Sequence, residues 1–172
     1  MAFVTAAAPD LAGIGPGVLA GVVVAPEPMR SRLAAALARG GVGVAGAAQP
    51  NELPAETADR AVHYGVIACD RLDGRARTAA RRLREWWSGV RVVAVVHGGD
   101  ATVADALGAG FDGLVFAADA DAALAATVRG VCAGQFVAPR AAFRSGRRPV
   151  LSADEQRLLG MVADGLTNAQ IA

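Results

Sequence analysis

The stretch Tyr64–Gly74, YGVIACDRLDG, decides how this chain folds. After Gly65 the residues Val66, Ile67, Ala68 and Cys69 run without a polar break into Asp70. A short continuous apolar run bounded by turn residues suits a strand buried on both faces. Asp70 then stands at the carboxyl end of that strand, and Asp73-Gly74 supplies a turn. In open α/β sheets, ligands and chemistry sit at the carboxyl ends of the strands, so Asp70 is the first residue to examine.

Working outward, the same alternation repeats. Val18–Ala25 reads as a first buried strand, broken at Pro26-Glu27-Pro28. Pro28 is placed to open a helix that runs to about Arg39, with Leu33 and Leu37 on one face, and Gly40-Gly41 ends it. Val42–Ala47 is a second strand, followed by a short helix within Gln49–Val62. Beyond Asp70 comes an Arg-rich helix, about Arg77–Trp87, in which Leu83 and Trp87 face the sheet and Arg75, Arg77, Arg81, Arg82 and Arg84 coat the solvent side. Val90–Val96 is a fourth strand. Asp100 is read as the cap of a helix holding Val103 and Leu107 at i, i+4, closed by Gly110. Leu114–Ala117 is a fifth strand. Asp119 or Asp121 caps a last helix with Leu124, Val128 and Val131 on one face, ending at Gly134. Strands alternating with helices predict an α/β fold, a doubly wound parallel sheet covered on both faces.

The totals narrow the function. The chain has 172 residues, enough for one domain and part of a second, and 53% are hydrophobic. All 17 basic residues are Arg, which removes Lys-dependent chemistry, and a net charge of +1 makes the whole chain no electrostatic nucleic-acid binder. Cys69 and Cys132 lie far apart in apolar segments, as buried thiols do, and form no metal-ligand spacing. No run reaches the ~20 apolar residues of a membrane span, and the start has no basic n-region, so a cytoplasmic protein is expected. There is no G-x-G-x-x-G after the first strand, no G-x-x-x-x-G-K-[ST], and no Ser/His/Asp arrangement beyond chance; an enzyme is not expected.

The stretch from Val18 to about Pro139 resembles a response-regulator receiver domain, a flavodoxin-like (CheY-like) fold with strand order 2-1-3-4-5. The best-matching segment is Asp105–Ala138, DALGAGFDGLVFAADADAALAATVRGVCAGQFVA, with the A-G-x-D-G turn, the fifth strand, the acidic cap and the x-A-G exit. ACDRLDG matches the phosphoacceptor loop, and the resemblance puts Asp70 in the phosphoacceptor's place. It implies further that two acidic residues after the first strand help hold Mg²⁺, that a Ser or Thr ends the fourth strand, and that a Lys ends the fifth. Here the first position reads Pro26-Glu27, leaving Glu27 and Asp70 as the candidate metal ligands. Val96, or His97 if the register slips by one, replaces the hydroxyl residue, and Ala117 replaces the Lys. A hard Mg²⁺ wants several oxygens, and a phosphoaspartate brings nearly two negative charges that need an ammonium beside them. The expectation is therefore an atypical, pseudo-receiver domain that works without phosphorylation, with no cofactor and no sensor kinase.

Residues 1–17 are Ala-, Gly- and Pro-rich without periodicity and read as a loose extension. After Pro139, residues 140–150 carry Arg140, Arg144, Arg147 and Arg148 among Ser, Gly and Pro, the composition of a linker. In 151–172, LSADEQRLLGMVADGLTNAQIA, Ser152 and Glu155 make a capping box, Leu158, Met161 and Val162 an apolar face, and Gly165 a stop; Thr167 and Gln170 make a second box. Two helices joined by a short Gly-containing turn form a helix-turn-helix signature. This stretch resembles the start of the LuxR/NarL-type DNA-binding domain. The resemblance implies a regulator that binds DNA once the helix-turn-helix is complete, commonly as a homodimer, with Thr167, Asn168 and Gln170 at the DNA backbone. The sequence reaches Ala172 inside the second helix, before the recognition helix. The other reading is a truncated receiver-like interaction module that dimerises with a partner and does not bind DNA.

Overall fold

A computed structural model describes residues 19–49 and 61–143. The expected N-terminal extension, the helix between the second and third strands, most of the linker, and Thr167, Asn168 and Gln170 lie outside these residues. The described chain runs β1 (Ala20–Val24), α1 (Met29–Arg39), β2 (Gly43–Ala48), β3 (Tyr64–Cys69), α2 (Gly74–Trp86), β4 (Arg91–Val96), α3 (Val103–Gly108), β5 (Gly113–Phe116) and α4 (Ala120–Cys132). Two 3₁₀ turns, Ala117–Asp119 and Arg140–Phe143, flank the last helix. The strands form one sheet in the order β2-β1-β3-β4-β5, every pair parallel. This is the doubly wound flavodoxin-like α/β sheet expected from the alternation of strands and helices.

Period-two alternation divides the apolar strand residues between two cores. Val22, Val24, Ile67, Val92, Ala94 and Val96 face α2 and α3 with Leu83, Ala106 and Phe111. Val23, Val66, Val93 and Val95 face α1 and α4 with Leu33, Leu37, Leu124, Val128 and Val131. The helix stripes read from the sequence in α1 and α4 are therefore the buried stripes. On that second face an exposed carboxylate joins the two helices: Asp121 accepts from Arg32 at 2.6 Å and from Arg39 at 2.8 Å. The Arg32 guanidinium does most to hold the Asp121 carboxyl below its ordinary range. Arg129 of α4 donates to the carbonyl of Gly40 and so closes the end of α1.

Three helix starts differ from the expectation. Thr102, not Asp100, caps α3: its side chain accepts from the Asp105 amide at 3.1 Å, and Asp105 accepts from the Thr102 amide at 2.9 Å. This reciprocal box satisfies two orphan donors, which a lone Asp does not. Starting the helix at Thr102 puts Ala106 on the buried face and leaves Leu107 55% exposed. Asp119 occupies the N-cap position of α4 but makes no side-chain cap, because the 3₁₀ turn of Ala117–Asp119 runs straight into the helix. The Arg-rich helix starts at Asp73, whose carboxylate accepts from the amides of Arg75 at 2.9 Å and Ala76 at 3.1 Å. Those bonds, the Ala76 amide first, lower the Asp73 pKa. Among the described residues, no helix is long and apolar enough to cross a membrane.

Candidate functional site

The parallel register of β3 and β4 pairs Cys69 with Val96, so both strands end level and their next residues, Asp70 and His97, emerge together at the carboxyl edge. The His97 amide donates to the Cys69 carbonyl at 3.3 Å, and its Nδ1 lies 3.4 Å from Asp70 Oδ1. The Asp70 side chain is 94% exposed. A shallow hollow of about 290 Å³ beside it is lined by Asp70, Arg71, Asp73, Val96, Asp100 and Asp105, among others. Two of its four carboxylates already have structural duties, Asp73 on α2 and Asp105 on α3. A larger hollow of about 820 Å³ runs along α2 against β1 and β3; it is mostly apolar and shares only Asp73 with the first.

Val96 closes β4 at 1% exposure and lines the hollow with a methyl surface, while His97 is the polar side chain that reaches the carboxylate. Ala117, 5% exposed, follows β5 directly and brings no cation. Ala25 and Pro26 follow β1 and offer no side-chain oxygen. Glu27 comes next, and its two oxygens serve the start of α1: Oε1 accepts from Arg30 at 2.9 Å and from the Ser31 hydroxyl at 3.0 Å, and Oε2 from the Ser31 amide at 3.3 Å. The hydrogen bond from the Ser31 side chain is the main reason its pKa lies below the ordinary glutamate value. A receiver-type Mg²⁺ needs a cluster of hard oxygen donors. Among the described residues no group of three or more His, Cys, Asp or Glu side chains is placed to hold a metal ion.

Sequence reading singled out Asp70 and left open whether Val96 or His97 stands beside it; the strand register puts Val96 at the end of β4 and His97 next to the Asp70 carboxylate. It missed that Asp73 is a helix cap, although Asp followed three residues later by the first buried alanine of an amphipathic helix is a usable signal. Immediately before Asp70, Cys69 is half-buried and its thiol is pushed up to about 11, first by burial and then by the Asp73 and Asp70 carboxylates. At neutral pH its reaction with iodoacetamide should be about 100-fold slower than that of an ordinary protein thiol, since the thiolate is the reacting species. Mass spectrometry of alkylation in buffer and in urea checks this, and equal rates in the two would show that the end of β3 is open.

No protein-family model matches the chain, and no curated protein matches it. Solved structures do share its fold. The chain is similar to the RcsB response regulator of Salmonella typhimurium, at 14% identity and a TM-score of 0.64 over 90% of this chain and 81% of that one. It is similar to a LuxR family DNA-binding response regulator from Silicibacter pomeroyi, at 21% identity and a TM-score of 0.57 over 73% of this chain and 100% of that one. A structure of two RcsB dimers bound to two parallel DNAs matches at 18% identity and a TM-score of 0.59, over 90% of this chain and 81% of that one.

Proposed function

We propose, from the receiver fold of response regulators as premise, that this chain belongs to a DNA-binding transcription regulator of the LuxR/NarL type whose receiver-like domain works without phosphorylation of Asp70. The observation that carries the reading is the surroundings of Asp70. The fold is that of a receiver and Asp70 follows β3, and by the resemblance Pro26-Glu27, Val96 and Ala117 take the positions around a phosphoryl group and Mg²⁺, with the Glu27 carboxylate engaged by Arg30 and Ser31. A phosphoryl group on Asp70 would add nearly two negative charges beside Asp73, Asp100 and Asp105, with Arg71 and His97 as the nearby basic side chains. The DNA-binding part of the reading rests on the LSADEQRLLGMVADGLTNAQIA sequence, on Thr167, Asn168 and Gln170 within it, and on the DNA-bound neighbour. The protein is then a cytoplasmic regulator rather than an enzyme, a homodimer on DNA, with an input other than a sensor kinase.

The test uses the full-length gene product on the DNA upstream of its own gene. Incubation with a small-molecule phosphodonor and Mg²⁺ should leave its intact mass unchanged, and the DNA affinity should be the same with and without that treatment and in Asp70→Asn. A phosphoryl mass gain that is lost in Asp70→Asn, with tighter DNA binding, would overturn the phosphorylation-independent reading. Binding that is salt-labile and blind to sequence would overturn the DNA-reading one.

A further inference from the structure

The chain leaving α4 does not run out into solvent. After the turn at Gly134, whose φ is +88°, the Gln135 amide donates to the Gly130 carbonyl at 3.0 Å and the backbone comes alongside β5. Val137 pairs with Gly113 in a parallel bridge, and the Leu114 amide donates to the Val137 carbonyl at 2.9 Å. The side chains alternate as those of a strand do: Phe136 and Ala138 pack on the α2–α3 core, Val137 on the α1–α4 core. Pro139 ends the pairing, having no amide to give. A 3₁₀ turn then lays Ala142, 2% exposed, into the α2–α3 core. The seat is encoded in α4: a β-carbon at Gly130 would lie 2.6 Å from Val137 Cγ2. A glycine inside a helix is otherwise a cost.

What the segment covers is the free edge of the sheet. β5 is the terminal strand, paired on its other side with β4, and its four residues, Gly-Leu-Val-Phe, are all buried and carry no charge or proline. An uncharged apolar edge of this kind is a template for pairing with another chain. We propose that Gln135–Phe143 is a docked strap that occupies the β5 edge and keeps a second copy of this chain from pairing there. The strap takes the place of a sixth strand at its first residues and is pinned at its far end by Ala142.

The 172-residue chain itself is the sample, with two variants aimed at opposite ends of the strap. Gly130→Leu fills the seat of Val137 with a good helix former, so α4 is not weakened. Ala142→Glu puts a charge into the core position at the far end. In the wild type, the Leu114 amide should exchange as slowly as the amides of β4, and trypsin should cut after Arg140 slowly. In the variants, Leu114 exchange should be about 10-fold faster or more, as expected for local release without global unfolding. β4 should stay protected, and sedimentation should show concentration-dependent association beyond that of the wild type. Rapid Leu114 exchange with prompt cleavage after Arg140 in the wild type would overturn the docked strap, and this decides the matter even if both variants fail to fold. Release of the strap without any gain in association would overturn its role at the edge.

Discussion

Replacing Gly21 with valine will lower the stability of the domain by about 3 kcal/mol or more, on the combined scale of an overpacked core and a broken buried hydrogen bond. Gly21 lies in β1, in register with Tyr64 of β3. The Tyr64 ring is fully buried and crosses over Gly21, so that its hydroxyl donates to the Gly43 carbonyl on the far neighbour, β2, at 2.7 Å. One side chain thus ties three strands together over a residue that has no side chain. A β-carbon at position 21 would sit 2.5 Å from ring atoms of Tyr64, well inside van der Waals contact. Valine cannot be accepted unless the ring swings away, which breaks its hydrogen bond and opens a cavity over β3. Domains have about 5–15 kcal/mol in total, so Gly21→Val should be marginal or unfolded in urea titrations. Tyr64→Phe, which removes only the hydroxyl, should cost about 1 kcal/mol. A Gly21→Val midpoint close to that of Tyr64→Phe would show that the ring is free to move.

The second large effect is expected at Asp112. It lies in the A-G-x-D-G turn before β5, and its role is internal to the fold. Its Oδ2 accepts from the Val92 amide at 2.8 Å and from Arg84 at 2.7 Å, while Arg91 approaches Oδ1 at 3.5 Å. Its own amide donates to the Val92 carbonyl at 2.7 Å. One aspartate therefore finishes the start of β4, fixes where β5 begins, and anchors the carboxyl half of α2. Asp112→Ala leaves the Val92 amide without its acceptor and two guanidinium groups without a partner. The loss should be about 2 kcal/mol, the penalty for stranding a buried donor. Asp112→Asn keeps an oxygen for Val92 and should recover a good part of it. Equal losses in the two variants would mean that the charge on the Arg84 pair, not the Val92 bond, carries the effect.

These two positions show what a single sequence conveys and what it withholds. The strands were legible because runs such as Val92–Val96 are apolar throughout, as strands covered on both faces must be. The α1 and α4 stripes were legible because Leu33 and Leu37, and Leu124, Val128 and Val131, repeat at helical spacing. Asp70 was legible because it ends such a run. The start of α3 was not, since Asp100 and Thr102 are both cap residues and only the reciprocal bonds with Asp105 choose between them. With that choice went Leu107, turned from an expected core residue into an exposed one. The pairing of His97 with Asp70 needed the β3–β4 register, a one-residue question that composition cannot settle. The strap was hidden for another reason: three alternating residues, Phe136, Val137 and Ala138, are too few to signal a strand, and their partner on β5 is set by tertiary packing. Asp112 was quoted as part of a motif, but the three strangers that motif serves, Val92, Arg84 and Arg91, are about 20 or more residues away.

The all-parallel sheet has a consequence for how the chain must assemble. No two neighbouring strands are joined by a tight turn, so every pairing has to close a long loop before any contact is gained. Val93 and Gly113 are 20 residues apart, whereas Gly21 and Tyr64 are 43 apart. That is little more than one doubling, and it adds only about 0.6 kcal/mol of closure entropy. The difference is small in equilibrium terms, yet it ranks the seams: β4 and β5 can meet early, and β1 joins β3 at the greatest cost. The tyrosine that spans β1 is thus a fastener on the seam that is hardest to close.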